Sequence, residues 1–214
     1  MRHILPQKIF VTGIGTGVGK TIVSAVLVEA LQADYWKPVQ CGSLDDSDTM
    51  KVKSLTGNFV SKFYPEAYRL QAPASPHYAA KAEGVEIDLS TLEVPTEKRL
   101  IIEGPGGLMV PLNQRFIVAD MIKHLDAAVI LVVRNYLGSI NHTLLSIQAL
   151  RQKNFSLAGI IFSGGNFLDN EEVIQHFSNV PVVGRIDESQ SIDKAFVAAQ
   201  ALKLRTSLSQ VFEF

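Results

Sequence analysis

Short apolar runs alternate with amphipathic stretches along most of the chain. The apolar runs predict strands at 8–13, 34–39, 99–104, 127–133, 156–162 and 180–186, the second of them stopped by Pro38. Apolar residues at helical spacing predict helices at 19–33, 43–57, 75–84, 117–126, 140–154 and 192–203. Strands that are apolar on both faces and alternate with helices form parallel sheets. We therefore predict a doubly wound α/β fold, a mostly parallel sheet flanked by helices in three layers, with ligands at the carboxyl ends of the strands.

Composition narrows the class of protein. The chain has 214 residues and a formal net charge of −1, a length that suits one domain, so we expect 1–214 to form a single domain. No basic run occurs, which argues against nucleic acid or an anionic membrane surface as a partner. Cys41 is the single cysteine, and no apolar run approaches the ~18–20 residues of a membrane span. The first residues lack a secretory signal, so we expect a cytoplasmic protein.

The first predicted strand ends in a glycine-rich turn, GIGTGVGKT at 13–21. The backbone N–H groups of such a turn, with the N-terminal end of the next helix, form a concave site for anions. Lys20 is placed to neutralise the β- and γ-phosphates of a nucleotide, and the hydroxyl of Thr21 is placed to bind Mg²⁺. The spacing departs from the general phosphate-loop pattern, whose first glycine would fall at Ile14.

This turn predicts a P-loop NTPase-like fold that uses a triphosphate. The alternative is a strand-to-helix turn that binds nothing, but it gives no reason for four glycines followed by Lys-Thr. The prediction leaves the reaction open, because many chemistries share this fold.

Polar residues stand at the ends of two other predicted strands. Lys37, in YWKPVQCGS, closes the second strand, and Glu103, in LIIEGPGG, stands at the end of the third, beside the phosphate turn. A carboxylate at that place is suited to holding a metal, and the glycines after it let a ligand approach the backbone closely. The role of Asp48, in DDSDT, cannot be decided from the residues alone, because this carboxylate could either join the site or cap a helix.

Seven segments share their order and separations with one enzyme family. They are VTGIGTGVGKT, YWKPVQCGS, ASPHYAA, IIEGPGGLMVPL, DMIKHL, VILVVRNYLGSINHTLLS and LAGIIF, spread from about residue 8 to about residue 186. On these segments the chain resembles dethiobiotin synthetase. The glycine spacing that broke the general phosphate-loop pattern is the family's own form.

The resemblance implies an ATP- and Mg²⁺-dependent cyclo-ligase of biotin synthesis. Its substrates would be ATP, CO₂ or bicarbonate, and 7,8-diaminononanoate. One amine becomes a carbamate, the carbamate attacks the γ-phosphate, and the second amine closes the ureido ring of dethiobiotin, releasing ADP and phosphate. Two anions must be aligned for this reaction, so cations between them would do most of the work.

The resemblance also assigns site residues. It implies Lys37, Lys20 and Thr16 as catalytic residues, and Thr21, Asp48 and Glu103 as metal ligands, which decides the question left open for Asp48. The nucleotide would contact Gly15, Gly17, Val18, Gly19, Lys20, Thr21, Ile22, Asp48, Glu103, Ser163, Gly164 and Gly184. The diamine or its carbamate would contact Thr16, Lys37, Cys41, Gly106 and Gly107.

A homodimer also follows from the resemblance. The segment Leu137, Gly138, Ser139, Ile140 and Asn141 resembles the part of the family that receives the substrate's carboxylate tail across the dimer interface. Backbone N–H groups at the start of a helix suit a carboxylate.

The chain departs from the family at a few of these positions. Cys41 stands where the family often has serine or threonine, and Gly17 where some members have glutamate. Ser163 and Gly164 replace an Asn-Asp pair that reads the adenine edge, so either adenine selectivity is loose or the nearby Asn166 takes over. The loop after Gly184 is altered as well.

Two rival readings share the fold. A partitioning or assembly ATPase usually carries an extra lysine in the loop, where this chain has Gly15. A non-catalytic regulatory domain would not need Lys20, Thr21, Asp48 and Glu103 together. The partitioning or assembly ATPase also gives no reason for Lys37 or for the segment LGSINH at 137–142.

Overall fold

A computed structural model describes residues 3–165 and 167–213 of the chain. The strands are β1 His3–Ile4, β2 Lys8–Gly13, β3 Asp34–Trp36, β4 Val39–Cys41, β5 Phe63–Tyr64, β6 Tyr68–Leu70, β7 Leu100–Gly107, β8 Ala128–Arg134, β9 Leu157–Ser163, β10 Val182–Ile186 and β11 Phe212–Glu213. The α-helices are α1 Lys20–Leu31, α2 Asp48–Leu55, α3 Pro76–Ala82, α4 Val118–Leu125, α5 Ser139–Gln152, α6 Leu168–Ser178 and α7 Lys194–Val211.

Seven strands form the central sheet, in the order β10-β9-β8-β2-β7-β3-β5. Every pairing between its neighbouring strands is parallel. β2 lies in the middle, where Val11 pairs with Glu103 of β7 on one side and Ile130 of β8 on the other. The predicted parallel sheet is confirmed. The turn that follows β2 therefore lies at the middle of the sheet's carboxyl edge.

Helices cover both faces of the sheet. Ile9 and Val11 of β2 face the layer that contains α1 and α7, where Val26 and Leu204 are buried. Phe10, between them, faces the opposite layer with α3 and α4, and α5 and α6 extend that layer over β8 and β9. Alternate residues of one strand therefore enter two separate cores, which is why these strands are apolar throughout.

The predicted strand at 34–39 is two strands in the structure. β3 ends at Trp36, and β4 starts at Val39 and pairs with β6 in a small separate sheet. Pro38 has no N–H to donate to a ladder, although its carbonyl accepts a hydrogen bond from the N–H of Tyr68 at 2.9 Å. The break leaves Lys37 at the carboxyl edge of the central sheet.

Three helices differ from what was predicted. α2 begins at Asp48, five residues after the predicted start at 43, and a short 3₁₀ turn at Leu44–Asp46 precedes it. α6 was not predicted, because its apolar residues give no clear stripe: Ile174 is buried, while Val173 and Phe177 are exposed. α7 runs eight residues beyond the predicted end at 203, and Leu204 and Leu208 continue its buried face. Over residues 3–165 and 167–213, no helix has the length and apolar character needed to cross a membrane.

Candidate functional site

A cavity of about 770 Å³ opens at the carboxyl edge of the sheet. It gathers eleven of the predicted site residues: Thr16, Gly17, Gly19, Lys20, Thr21, Ile22, Lys37, Cys41, Asp48, Glu103 and Gly106. They come from the turn after β2, the start of α1, the break between β3 and β4, the end of β4, the start of α2 and the middle and end of β7. The fold brings these separated segments together because parallel strands end at the same edge.

The glycine-rich turn joins β2 to α1. Gly19 has φ 94°, a left-handed conformation that glycine adopts without strain, and it caps the N-terminus of α1. A Cβ at Gly19 would lie 2.4 Å from Oγ of Ser163, so the end of β9 packs closely against the turn. The hydroxyl-bearing Thr16 and neighbouring Gly17 are exposed, while the side chain of Val18 is buried.

Lys20 folds back over this turn. Its ammonium donates a hydrogen bond to the carbonyl oxygen of Gly15 at 2.9 Å, and the residue is only 7% exposed. Burial lowers the pKa of Lys20 to about 8, with the nearby carboxylate of Glu103 opposing the shift. A buried cation beside the backbone N–H groups of a glycine-rich turn makes a site that favours an anion.

A buried network of charges lies beside the turn. Oε1 of Glu103 accepts hydrogen bonds from the hydroxyl of Thr21 at 3.0 Å and from the ammonium of Lys37 at 3.1 Å. Lys37 also forms an ion pair with Asp48. Lys37 and Glu103 are 5% and 1% exposed, and the side chain of Asp48 is 23% exposed, so one ammonium pairs with two carboxylates of which only Glu103 is almost out of contact with water.

The charged forms support each other in this network. Burial alone would lower the pKa of Lys37, but the charges of Glu103 and Asp48 outweigh it and raise that pKa. Burial alone would raise the pKa of Asp48, but the charge and hydrogen bond of Lys37 lower it. Both groups are therefore charged at neutral pH, as a site for anions and cations requires.

Tyr35 belongs to this network and was missed from the sequence. Its hydroxyl donates to Oε2 of Glu103 at 3.0 Å, and the residue is fully buried. Burial raises the pKa of the phenol well above its usual value of 10.0, so it stays protonated and remains a donor. The one available signal was its position two residues before Lys37, which places both on the same side of an extended strand.

The oxygen atoms here suit a hard divalent cation. The donors are the hydroxyl of Thr21 and the carboxylates of Asp48 and Glu103, all lining one cavity. Within the described ranges no three His, Cys, Asp or Glu residues cluster as a metal site. Mg²⁺ fits this set, because it is usually bound by one or two carboxylates together with phosphate oxygens and water.

A second cavity of about 460 Å³ lies between the turn and α5. It is lined by Gly15, Thr16 and Gly107 on one side and by His142 and Leu145 on the other. Thr16 lines both cavities, so the two meet at the exposed part of the turn.

The predicted residues at 137–141 line neither of these cavities. They form the start of α5, where Gly138 has φ 102° and Ser139 is fully buried. Leu137 is completely exposed at the tip of the preceding loop, and Asn141 is exposed on the first turn of the helix. The site predicted here for the substrate's carboxylate would include a second chain, so it stays a prediction.

The predicted base-binding residues also lie outside both linings. Ser163 contacts the turn at Gly19, and Gly164 lies against the guanidinium of Arg134. Gly184 is buried inside β10, where a Cβ would lie 2.2 Å from Cδ1 of Leu204. The structure thus gives Gly184 a packing role. Asn166, the alternative reader of the base, lies outside the described residues.

Cys41 forms part of the cavity wall next to the lysine network. Burial raises the pKa of its thiol to about 11, against the lowering effect of Lys37, so it is a neutral wall group at pH 7.

A family model described as an AAA domain matches residues 7–195. The ATP-dependent dethiobiotin synthetase BioD of Christiangramia forsetii is 50% identical over 208 residues, covering 97% of this chain and all of the relative. BioD of Cytophaga hutchinsonii is 46% identical, covering 92% of this chain and 97% of the relative. The biotin biosynthesis bifunctional protein BioCD of Bordetella avium is 43% identical, covering 94% of this chain but 44% of the relative.

Solved structures confirm the predicted P-loop NTPase-like fold. The cell division ATPase MinD of Pyrococcus furiosus aligns with a TM-score of 0.62 at 14% identity, covering 95% of this chain and 99% of that one. A ParA family ATPase of Chlorobium tepidum TLS aligns with a TM-score of 0.54 at 13% identity, covering 96% of both chains. Identities this low concern the fold alone.

Proposed function

The chain belongs to the ATP-dependent dethiobiotin synthetase family and is an ATP-dependent ligase, and on that premise we propose how its cavity makes dethiobiotin. The substrates are 7,8-diaminononanoate, CO₂ and ATP. The observation that carries the proposal is the buried Lys37 shared by Asp48 and Glu103, placed in one cavity with the phosphate turn. Such a site can hold the carbamate and the triphosphate together. Bringing these two anions together is the main difficulty of this reaction, because they repel each other.

The reaction proceeds in three steps. One amine takes up CO₂ and loses a proton, giving a carbamate. A carbamate oxygen then bonds to the γ-phosphorus as the bond to the bridging oxygen breaks, and ADP leaves. The second amine attacks the carbonyl carbon of the carbamic-phosphoric anhydride, loses its proton, and closes the ureido ring as phosphate leaves.

We assign the cationic roles to two lysines. Lys20 lies over the turn with its ammonium on the carbonyl of Gly15, a position from which it can meet the β- and γ-phosphates. Lys37 faces the same cavity and neutralises the negative charge shared by carbamate and phosphate. Thr16, exposed where the two cavities meet, positions the reacting groups.

Thr21, Asp48 and Glu103 would hold Mg²⁺. The ion, when bound, neutralises phosphate charge and orients the γ-phosphate for attack. Lys37 already contacts both carboxylates, so a bound ion would share them with the ammonium.

The remaining assignments rest on the family. Cys41 and Gly106 line the first cavity beside Lys37, and Gly107 lines the second, which suits contact with the diamine along the boundary between them. We propose that the substrate's carboxylate tail reaches 137–141 of a partner chain in a homodimer, and that 1–214 acts as one domain. The cytoplasmic location of the protein stays a prediction.

Product formation tests this proposal. The purified chain is incubated with ATP, Mg²⁺, the diamine and bicarbonate, and phosphate and dethiobiotin are measured together. We expect phosphate release that requires both the diamine and bicarbonate, with dethiobiotin formed in equal amount. Phosphate release at the same rate with and without the diamine would instead support the rival partitioning-type ATPase. The absence of phosphate release would support a non-catalytic domain.

A further inference from the structure

The two oxygens of the Glu103 carboxylate have different partners. Oε1 accepts from Thr21 and Lys37, both of which line the cavity. Oε2 accepts from Tyr35, which does not line the cavity and lies in the sheet behind it. Among the described hydrogen bonds, Tyr35 is the one donor to Oε2.

Tyr35 is held more firmly than most side chains. It lies on β3 between two parallel neighbours, paired with Ile101 of β7 and Phe63 of β5. Its ring packs against Phe63 with 6.3 Å between ring centroids, and no part of the residue is exposed. A ring in such a place has little freedom, so its hydroxyl marks a fixed point.

A donor at a fixed point orients the acceptor. A carboxylate on a strand can rotate about its terminal torsion, which has a broad energy minimum. With Oε2 bound to Tyr35, that rotation is stopped and Oε1 points to Thr21 and the cavity. Outer partners of this kind commonly orient metal ligands and tune their affinity.

We propose that Tyr35 is a positioning residue for the metal ligand Glu103. The inference rests on the proposed metal site, since it assumes that Glu103 is a ligand. It adds a residue that lies outside the cavity, contacts neither nucleotide nor diamine, and acts through one hydrogen bond. Removing that bond should weaken metal binding in the nucleotide complex.

The test measures Mn²⁺ binding by electron paramagnetic resonance, with ADP saturating, so that no turnover is required. Tyr35→Phe removes one oxygen atom and keeps the buried ring, so it is expected to fold. Tyr64→Phe is the matched control, because Tyr64 also donates to a buried carboxylate, Oδ2 of Asp34 at 3.1 Å, away from the cavity. Glu103→Gln shows what loss of the ligand's charge does.

We expect Tyr35→Phe to bind Mn²⁺ about 10-fold more weakly than the natural chain, and Tyr64→Phe to bind it unchanged. In turnover, the Mg²⁺ concentration for half-maximal rate should rise while kcat at saturating Mg²⁺ is largely recovered. Introducing 4-aminophenylalanine at position 35 keeps an N–H donor there, and it should restore the affinity even if Tyr35→Phe is unstable.

Three results would overturn the inference. If Glu103→Gln weakens Mn²⁺ binding and Tyr35→Phe does not, the metal site stands and Tyr35 has no role in it. If Tyr35→Phe and Tyr64→Phe weaken binding equally, the effect is general loss of stability. If Glu103→Gln itself binds Mn²⁺ normally, the proposed metal placement fails and the inference fails with it.

Discussion

Lys37 shows how a single residue can decide the chemistry of the edge of a sheet. It follows β3 directly and precedes a proline that stops the strand, so its side chain enters the cavity instead of a sheet layer. Its ammonium is then fixed between two carboxylates, Asp48 and Glu103. A buried charge so well paired is preorganised to meet a developing negative charge.

Lys37→Ala should therefore lose turnover by about 10²-fold or more, the usual loss when one preorganised donor is removed. Nucleotide binding should change little, because the turn at 13–21 remains intact. Steady-state kinetics and fluorescent-nucleotide titration at saturating Mg²⁺ measure the two quantities separately.

Lys51→Ala is the control for this variant. Lys51 lines the same cavity but is partly exposed and pairs with Asp46 at 3.2 Å, so its removal should leave kcat nearly unchanged. Equal turnover in the Lys37 variant and the natural chain would remove Lys37 from the reaction.

Lys20 gives a pH dependence with a definite sign. Its pKa is lowered to about 8 by burial, so it is charged below that pH and loses its proton as the pH rises. Since only the charged form attracts phosphate, ATP affinity without metal should fall between about pH 7.5 and 9.5, by up to about tenfold per pH unit. Isothermal titration calorimetry at several pH values measures this fall.

Lys20→Arg separates the lysine from other titrating groups. A guanidinium keeps its charge throughout this range, so its ATP affinity, though weaker, should not vary with pH. A natural chain whose affinity stays level across the range would show that the protonation of Lys20 does not control binding.

The sequence predicted residues that belong to recognisable motifs better than a partner inside an apolar strand. Lys20, Thr21 and Glu103 belong to such motifs, and the structure brings them into one cavity. Tyr35 could not be identified in the same way, because a tyrosine in an apolar strand is ordinarily a core residue. Its role depends on the register between β3 and β7, which sequence alone does not specify.

At the scale of elements, the turn between β2 and α1 requires glycine more strictly at Gly19 than at Gly15. Gly19 combines a left-handed backbone with close contact to Ser163, whereas Gly15 has open space around it and an ordinary φ. The two glycines therefore make a matched pair for substitution within one loop.

Gly19→Ala should destabilise the chain by about 1–3 kcal/mol, from backbone strain and the overlap with Ser163. Gly15→Ala should stay within about 0.5 kcal/mol of the natural chain. Urea denaturation without nucleotide gives both free energies of unfolding. Similar stabilities for the two variants would contradict the described geometry of the turn.

The pattern along the chain predicted the long elements better than their ends. Strands apolar on both faces, such as β8, could be predicted because burial on both sides leaves a continuous apolar run. The short strands β5 and β6 have two and three residues, too few for a periodic signal. Their positions come from pairing with distant strands, which local sequence does not encode.

At the scale of the whole molecule, the proposed tail site requires a second chain. Leu137 is fully exposed beside the start of α5, near Tyr136, which is also exposed. An apolar tip of this kind suits burial in the homodimer that the family implies.

Sedimentation velocity should show a dimer for the natural chain. Leu137→Asp should weaken it, because a buried carboxylate without a partner is costly, and should raise the KM for the diamine more than the KM for ATP. Leu202→Asp, at an exposed position on α7, should leave mass and KM unchanged. A fully active monomer would contradict the shared tail site.

The central claim is that the cavity directs a carbamate oxygen onto the γ-phosphate of ATP. Supplying ¹⁸O-labelled CO₂ in short reactions tests it most directly, because that oxygen stays with phosphorus when the ring closes. The account predicts that the phosphate released by the natural chain carries a single ¹⁸O, and that Lys37→Ala releases little phosphate of either kind. Unlabelled phosphate formed together with dethiobiotin would show that the carbamate never attacks phosphorus, and would contradict the account.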